Sequence, residues 1–218
     1  MKRLIVVCEG PTEKEFCKNV LQNFFWQHGI VLETPVVKHS GGGVVPWPTL
    51  KVQLVNHLRD NDAYTTMFID YYGIKDDFLF PKWGEAKSIA NHEQRMEFLE
   101  KAMLQDVPEM MQQHFIPHLQ LHEFESLLFA DITAFEKNFM SSEMDMKKLK
   151  RIVSEFPNPE EINNNPKTAP SKRLEDAIRG YQKVLFGNCV AMDIGINKMM
   201  ASCPHFCKWI NRLVTVVG

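Results

Sequence analysis

The sequence predicts an α/β fold: a mainly parallel sheet of about four strands flanked by helices, followed by a helical C-terminal part. Short apolar runs rich in β-branched residues alternate with segments whose apolar residues recur every three or four positions, as in βαβ units. Beyond about residue 130 the strand signal disappears. We therefore divide the chain into an α/β core at 1–130 and a helical part at 131–218, packed on that core.

The first part of the chain alternates strands and helices. Its segments are a strand at 3–8, a helix at 12–28, a strand region at 30–40, a helix at 48–60 and a strand at 64–73. Gly-Pro bounds the first strand, Thr12 is the expected N-cap of the first helix, and Pro35 interrupts the second strand.

The rest of the chain is expected to become helical after one more strand. An irregular loop at 74–86 leads into a helix at 86–106, and a fourth strand at 114–121 runs into a short helix. A Pro/Asn-rich loop follows. The last expected helices are 170–184, 188–201 and 204–214.

Composition limits the functional classes. The 218 residues are 44% hydrophobic and 24% charged, with a net charge of −2, which argues against a uniformly basic nucleic-acid-binding chain. Five cysteines, one of them within an apolar strand, predict reduced thiols. No apolar run approaches the roughly 20 residues of a membrane helix, so we expect a cytoplasmic protein.

Acidic residues follow three of the expected strands. Glu9, Asp70 and Glu123 stand at strand ends, Glu125 lies two residues further on, and Glu13 lies one helical turn after Glu9. Ligands of parallel sheets bind beyond the carboxyl ends of the strands. A lone acid there is ordinarily a solvated turn residue, but several together repel one another and call for a cation. Oxygen donors favour Mg²⁺ or Mn²⁺, which serve phosphodiester chemistry.

Three stretches resemble the TOPRIM motifs of topoisomerases, bacterial primases and overcoming-lysogenization-defect (OLD) nucleases. "LIVVCEGPTEKEF" resembles the first motif, "HSGGG" the glycine turn after the second strand, and "MFIDYYG" the Asp-x-Asp strand. The resemblance implies a TOPRIM-like Rossmannoid core, bound Mg²⁺ and action on nucleic-acid phosphodiesters.

The TOPRIM resemblance carries over to individual positions. Glu9, followed by Gly10, matches the lead glutamate, which implies a metal ligand or general base, and Gly42 falls in the glycine turn. Asp70 matches the first acid of Asp-x-Asp, but Tyr72 stands at the second. This departure questions a two-metal site and favours, as an alternative, a non-catalytic module that binds a partner ATPase or nucleic acid. As the replacement for the lost ligand, we favour Glu123 over Asp76 and Asp77.

A closer resemblance covers nearly the whole chain. "HEFESLLF", "TAPSKRL" and "CPHFCKWI" resemble the family called domain of unknown function number 4276. That family is often found beside ABC-type or SMC-type ATPases, in settings that suggest anti-phage defence. The resemblance implies a nuclease effector with nucleic acid as substrate and an ATPase as partner. The oligomeric state is left open, a homodimer included, and primase-like polymerisation ranks last.

Other residues carry two interpretations each. Lys172 is expected either to steady a phosphate or, with Arg173, to be a solvated pair, and the basic segment 147–151 is either an exposed face or a phosphate contact. His122 is a structural residue or orients the neighbouring acid. The segment 203–207 lacks a second Cys/His pair for zinc, so we expect it to begin a packed helix.

Overall fold

A parallel sheet lies at the centre of the fold. The computed structural model describes residues 1–38, 43–163 and 166–218. Its strands are β1 (Lys2–Cys8), β2 (Ile30–Glu33), β3 (Ala63–Asp70), β4 (Phe115–Ile116) and β5 (Leu119–Gln120). The order is β2-β1-β3-β4, and β5 pairs with β3 beyond β4. The predicted α/β class with a helical C-terminal part is therefore confirmed.

Helices occupy most of the remaining chain. The α-helices are α1 (Pro11–Phe16), α2 (Gln22–Gln27), α3 (Trp47–Leu58), α4 (Trp83–Ala86), α5 (His92–Asp106), α6 (Glu109–Gln112), α7 (Met146–Ser154), α8 (Pro170–Ala177), α9 (Asn188–Ile194), α10 (Ile196–Ser202) and α11 (Pro204–Val217). Two π-helical turns, Cys17–Leu21 and Lys183–Gly187, lead into α2 and α9. The 3₁₀ helices are Tyr71–Gly73, Asp76–Phe78, Phe124–Ala130, Ile132–Lys137, Pro159–Glu161 and Pro166–Thr168. None of the helices within the described residues has both the length and the apolar composition that a bilayer crossing needs.

Several element ends differ from the prediction in the first half of the chain. The first helix begins at Pro11 after Gly10, so Thr12 lies buried in the first turn and is not the N-cap. The predicted strand at 64–73 ends at Asp70. The fourth strand is split in two, because Pro117 has no N–H to contribute to the ladder. The helix predicted from residue 86 begins at His92, because the Asn91 side chain accepts the N–H of Gln94 and caps it.

The predicted C-terminal helices are shorter than expected. The helix predicted at 170–184 ends at Ala177, where the chain turns extended at Ile178 (φ −133°). The helix predicted at 188–201 is divided into α9 and α10 by Gly195, whose φ of 75° is a left-handed conformation that suits glycine. The helix predicted at 204–214 is confirmed and extends to Val217.

Strand β1 divides the core between the two faces of the sheet. Leu4, Val6 and Cys8 point to one face, where α1, α2 and the C-terminal helices pack. Ile5 and Val7 point to the other face, which α3 and α5 cover. Because both faces are buried, the sequence of β1 is a continuous apolar run, without alternation of apolar and polar residues.

The C-terminal helices share their core with the first helix. The ring centroid of Phe16 in α1 lies 5.1 Å from that of Phe124 and 6.2 Å from that of Phe206 in α11. The side chains of Phe206, Trp209 and Leu213 are buried, as the sequence predicts for this helix. All five cysteines are free thiols. The helical part thus completes the core of one sheet face.

A buried polar network links α5, β5 and α11. The Oε1 atom of Glu100 accepts the N–H of Leu119 at 3.0 Å and lies 3.1 Å from Nε2 of His205 and 3.5 Å from Nδ1 of His118. The ring of His118 stacks on that of Trp209, with centroids 4.2 Å apart. The carboxylate therefore joins three distant parts of the chain inside the protein.

The charges of this network follow from competing effects. Burial opposes the charge of Glu100, but the hydrogen bonds from His118 and His205 outweigh it and lower the pKa of Glu100 to about 2. Burial likewise opposes the charge of His205, but its contact with Glu100 raises the pKa of His205 to about 9. Burial lowers the pKa of His118 to about 4. Glu100 and His205 form the ion pair, and His118 is neutral.

We predict that Glu100→Gln lowers the free energy of unfolding by about 3 kcal/mol, because it leaves His205 buried without its counter-charge. The difference in free energy of unfolding between the wild type and Glu100→Gln should be largest between pH 4.5 and pH 6.5, the ordinary pKa values of Glu100 and His205. It should decrease as the pH drops towards 2 or rises through 9. Urea unfolding across this pH range measures it. Glu97→Gln, an exposed change on the same helix, is the control; equal losses for both variants would contradict the prediction.

Candidate metal centre

The carboxyl ends of β1 and β3 lie side by side and bring their acids together. Cys8 and Phe68 are paired across the two strands, so Glu9 follows β1 just where β3 ends in Asp70. The N–H of Asp70 donates to Oε2 of Glu9 at 2.9 Å. Gly73 passes close by: a Cβ atom there would clash with the side chain of Val44 and lie 3.8 Å from Oε1 of Glu9. Glycine thus allows this loop, which passes Glu9, to pack closely against Val44.

Backbone N–H groups also fix the next two acids. The N–H of Gly10, at the start of α1, donates to Oε2 of Glu13 at 2.9 Å, and the N–H of Phe124 donates to Oδ1 of Asp70 at 2.9 Å. Both side chains are buried. Glu9, Glu13 and Asp70 are each oriented through one oxygen, which leaves the second oxygen of each carboxylate for another ligand.

Glu125 and Lys183 complete the group. Glu125 is fully buried, and its Oε1 atom accepts no hydrogen bond from the described residues. Nζ of Lys183 lies 3.0 Å from Oε2 of Glu125 and 3.5 Å from Oδ2 of Asp70. We call Glu9, Glu13, Asp70 and Glu125 the acid cluster; Lys183, from the π-helical turn before α9, is its counter-ion.

Burial and mutual repulsion raise the pKa values of three acids of the cluster, Glu9, Asp70 and Glu125. Burial, with the charges of Glu13 and Glu123, raises the pKa of Glu9 to about 7. Burial also raises the pKa of Glu125 to about 7 and that of Asp70 well above its usual range, although Lys183 opposes both shifts. Burial disfavours the ammonium of Lys183, but Asp70 and Glu125 outweigh this and raise its pKa. The cluster therefore contains more carboxyl groups than one lysine can keep ionised.

Glu123 lies next to the acid cluster but is held by a different element. Its half-buried carboxylate accepts the N–H of Ser171 at 3.0 Å, in the first turn of α8, where N–H groups lack partners within the helix. Its charge still raises the pKa values of Glu9 and Glu125. Glu123 follows β5 by three residues and is not at the strand end itself.

The structure places Lys172 and Arg173 away from the acid cluster. Nζ of Lys172 is exposed and lies 2.7 Å from Oε2 of Glu175. Nε of Arg173 donates to the carbonyl of Thr168 at 2.8 Å, and its guanidinium lies over the ring of Phe156 at 5.1 Å. Among the described residues, Lys183 is the cation that contacts the acids of the cluster.

The structure gives a different result for each of three further residues that the sequence singled out, Tyr72, His122 and Gly42. Burial raises the pKa of Tyr72, and the side chain of Asn163 opposes this shift. Burial lowers the pKa of His122 to about 3, so its ring is neutral, and neither ring nitrogen has a hydrogen-bond partner among the described residues. Gly42 falls outside the described residues.

Sequence reasoning missed Lys183. It is the one charged residue of "YQKVLFG", between Tyr181 and Gly187. A single cation within an apolar and aromatic segment is a signal that it enters the protein, where it needs acidic partners. The predicted helix at 170–184 hid this signal, because it placed Lys183 at the end of an exposed helix.

The chemistry of the acid cluster suits a hard dication. Its donors are carboxylate oxygens, as Mg²⁺ and Mn²⁺ prefer, and the orphaned Oε1 atom of Glu125 is a buried acceptor without a donor. Among the described residues, however, no three of these acids bring ligand oxygens within 4.8 Å of one another. They are spaced around the ammonium of Lys183, so a dication would require them to draw closer.

We predict that the metal-free protein loses stability as the pH rises from 5 to 8. Glu9 and Glu125 have ordinary pKa values of 4.5 and values of about 7 when folded, so the folded state keeps protons that the unfolded chain releases. Each group then costs roughly 1–3 kcal/mol above pH 7. Urea unfolding in EDTA at several pH values measures this loss.

Glu125→Gln should flatten this pH profile, because it removes one buried carboxylate. Glu136→Gln, at an exposed position, is the matched control and should show the same pH profile as the wild type. Mn²⁺ should restore stability at pH 8 in the wild type. A profile that is the same in Glu125→Gln and in the wild type would contradict the prediction.

Comparison with known proteins gives one match. A family model described as a domain of unknown function, DUF4276, matches residues 8–214, which include the whole acid cluster and Lys183. No curated protein and no solved structure matched the chain. Because the match spans nearly the whole length, the chain belongs to the DUF4276 family, a family whose function is unknown.

Proposed function

We propose that the protein is a Mg²⁺- or Mn²⁺-dependent nuclease that hydrolyses nucleic-acid phosphodiesters at the acid cluster. One observation carries the proposal: the ends of three neighbouring parallel strands and the segments after them supply four carboxyl groups, and Lys183 contacts two of these, Asp70 and Glu125. A group of acids that outnumbers its counter-ions, with raised pKa values, is the electrostatic signature of a site that takes a further cation. The resemblance of "LIVVCEGPTEKEF" to the first TOPRIM motif supports this proposal.

The side chains of the cluster suit distinct roles. Glu9, whose pKa lies at about 7, is suited to accept a proton from the attacking water near neutral pH. Lys183 is held as an ammonium by Asp70 and Glu125, so it can stabilise negative charge on a phosphate, the role that the sequence suggested for Lys172. A bound Mg²⁺ would lower the pKa of a water and polarise the phosphoryl oxygen.

A basic groove beside Glu123 supports nucleic acid as the substrate. Its lining includes Lys148, Arg151, Lys167, Lys172 and Arg173, together with Glu155 and Asp176. The two basic segments that the sequence indicated thus meet at one surface, although they are separated by a loop. The groove adjoins the site through Ser171, the neighbour of Lys172, whose N–H binds Glu123. A phosphate backbone in this groove would be held beside Glu123, whose charge acts on Glu9 and Glu125 of the acid cluster.

Partners and location form part of the same proposal. The free thiols suit a reducing compartment, so we place the activity in the cytoplasm. We further propose that an ABC-type or SMC-type ATPase controls it, as in the anti-phage settings of the family that the sequence resembles. A basic partner would also compensate for the net charge of −2.

A non-catalytic module that binds an ATPase or nucleic acid is the second candidate. Two observations favour it. Lys183 already neutralises part of the cluster, and Tyr72 stands where the second acid of Asp-x-Asp would be. Under this alternative the lysine would be a permanent substitute for a metal ion.

We predict that Asp70→Asn abolishes Mn²⁺ binding and lowers nuclease activity by at least about 100-fold, because it removes one charge but keeps the acceptor for Phe124. Calorimetry with Mn²⁺ and cleavage assays on single- and double-stranded DNA and RNA measure the two effects. Glu136→Gln is the control, and melting curves verify folding. Equal cleavage by the wild type and Asp70→Asn would end the nuclease proposal; no Mn²⁺ binding by the wild type would favour the non-catalytic module.

We predict that Arg151→Ala with Lys172→Ala weakens nucleic-acid binding, because it removes two cations that would pair with phosphates in the basic groove. In an Asp70→Asn background, which prevents cleavage, the slope of log affinity against log salt should become smaller by roughly one for each cation removed. Fluorescence anisotropy at several salt concentrations measures the slope. Lys101→Ala, an exposed change on α5, should leave it unaltered. The same slope in both variants would exclude the groove from binding.

A further inference from the structure

Three side chains from distant segments meet beside the acid cluster. His92 is the first residue of α5, His122 lies between β5 and the following 3₁₀ helix, and Glu161 ends the 3₁₀ helix Pro159–Glu161. Each offers a ligand atom, and these atoms all lie within 4.8 Å of one another. We call these three residues the histidine site.

The described residues do not explain the state of His122. Its side chain is 4% exposed, and both ring nitrogens are buried without a hydrogen-bond partner among the described residues. Its φ of 65° is unfavourable for a residue with a β-carbon. A buried polar group without a partner costs free energy, and strained backbone is retained at functional sites more often than elsewhere. A ligand on the ring would offset the first cost.

The other members of the histidine site face His122. The rings of His92 and His122 are 5.2 Å apart, edge to face, and Nδ1 of His92 lies 2.8 Å from Oε2 of Glu161. His92 and Glu161 are each 30% exposed, so one side is open to solvent. Arg95, the cation that also acts on His122, directs its guanidinium to the carbonyl of Ile89 and the hydroxyl of Tyr71.

A second group of two histidines and one carboxylate is formed by Glu100, His118 and His205. In this group, both histidine rings have a polar partner. There the carboxylate already receives the N–H of Leu119 and contacts both rings, so internal ion pairing accounts for the arrangement. In the histidine site, the ring of His122 remains without any hydrogen bond from the described residues.

We propose that His92, His122 and Glu161 bind a transition-metal dication, with Zn²⁺ as the best fit. Two imidazoles and one carboxylate are the donor set of open zinc sites, which keep a further position for water or a ligand. The nitrogen donors distinguish the histidine site from the acid cluster, whose oxygen donors suit Mg²⁺. The proposal therefore does not depend on the nuclease function.

A metal at the histidine site would join three parts of the fold. It would tie the start of α5 to the loop that carries Glu123 and to the C-terminal part that carries Glu161. Because His122 directly precedes Glu123, the metal would also fix the backbone beside the acid cluster. Metal binding should consequently be visible as stability, apart from any activity.

The test uses the full chain after removal of metals by a chelator, titrated with Co²⁺ and followed by visible absorption. The histidine site of the wild type should bind one Co²⁺ and give the intense absorption bands of a metal with a low coordination number. Zn²⁺ should displace this Co²⁺. At a Zn²⁺ concentration 100-fold above the dissociation constant, the melting temperature should rise by roughly 5 °C or more.

Variants separate the histidine site from other metal sites. His92→Ala and Glu161→Gln, at partly exposed positions, should lose both the Co²⁺ bands and the Zn²⁺ stabilisation, as should His122→Asn, because asparagine tolerates a positive φ. His57→Ala, on α3, and Asp70→Asn, in the acid cluster, should retain both. The proposal is overturned if the wild type gives no bands, if His92→Ala keeps them, or if Asp70→Asn abolishes them.

Discussion

Four neighbouring carboxyl groups, three of them buried, can all be ionised only if positive charge is supplied among them, and this requirement shapes the protein around its sheet edge. The pairing of β1 with β3 forces Glu9 and Asp70 together, and the first turn of α1 adds Glu13. Lys183 supplies one charge, at 3.0 Å from Glu125 and 3.5 Å from Asp70. The remaining excess leaves the site with protons that a stronger cation would displace.

The part of the site that depends on strand order was predictable from the sequence. A buried apolar run that ends in an acid identifies both β1 with Glu9 and β3 with Asp70, and parallel pairing brings the ends of such strands to one edge. The period of apolar residues likewise identified α11 and its buried face. These features follow from local patterns and one general rule of sheet topology.

The part that depends on tertiary packing was not predictable. Lys183 reaches the acids because α8 ends at Ala177 and the chain turns back, whereas the local pattern suggested a longer helix. Lys172, which the motif around it favoured, pairs with Glu175 on its own helix. The ion pair of Glu100 with His205 joins residues far apart in sequence, so no local pattern reveals it.

The place of Lys183 in the chain has a consequence for biosynthesis. The acids of the cluster all precede it, and a growing chain presents them before the segment with the lysine has been made. Until that segment docks, the carboxylates can be buried only in protonated form or not at all, so the sheet edge stays open and hydrated. The site therefore cannot be completed before the segment with Lys183 has been synthesised, and a chain cut short before this residue would lack the counter-ion of the acid cluster.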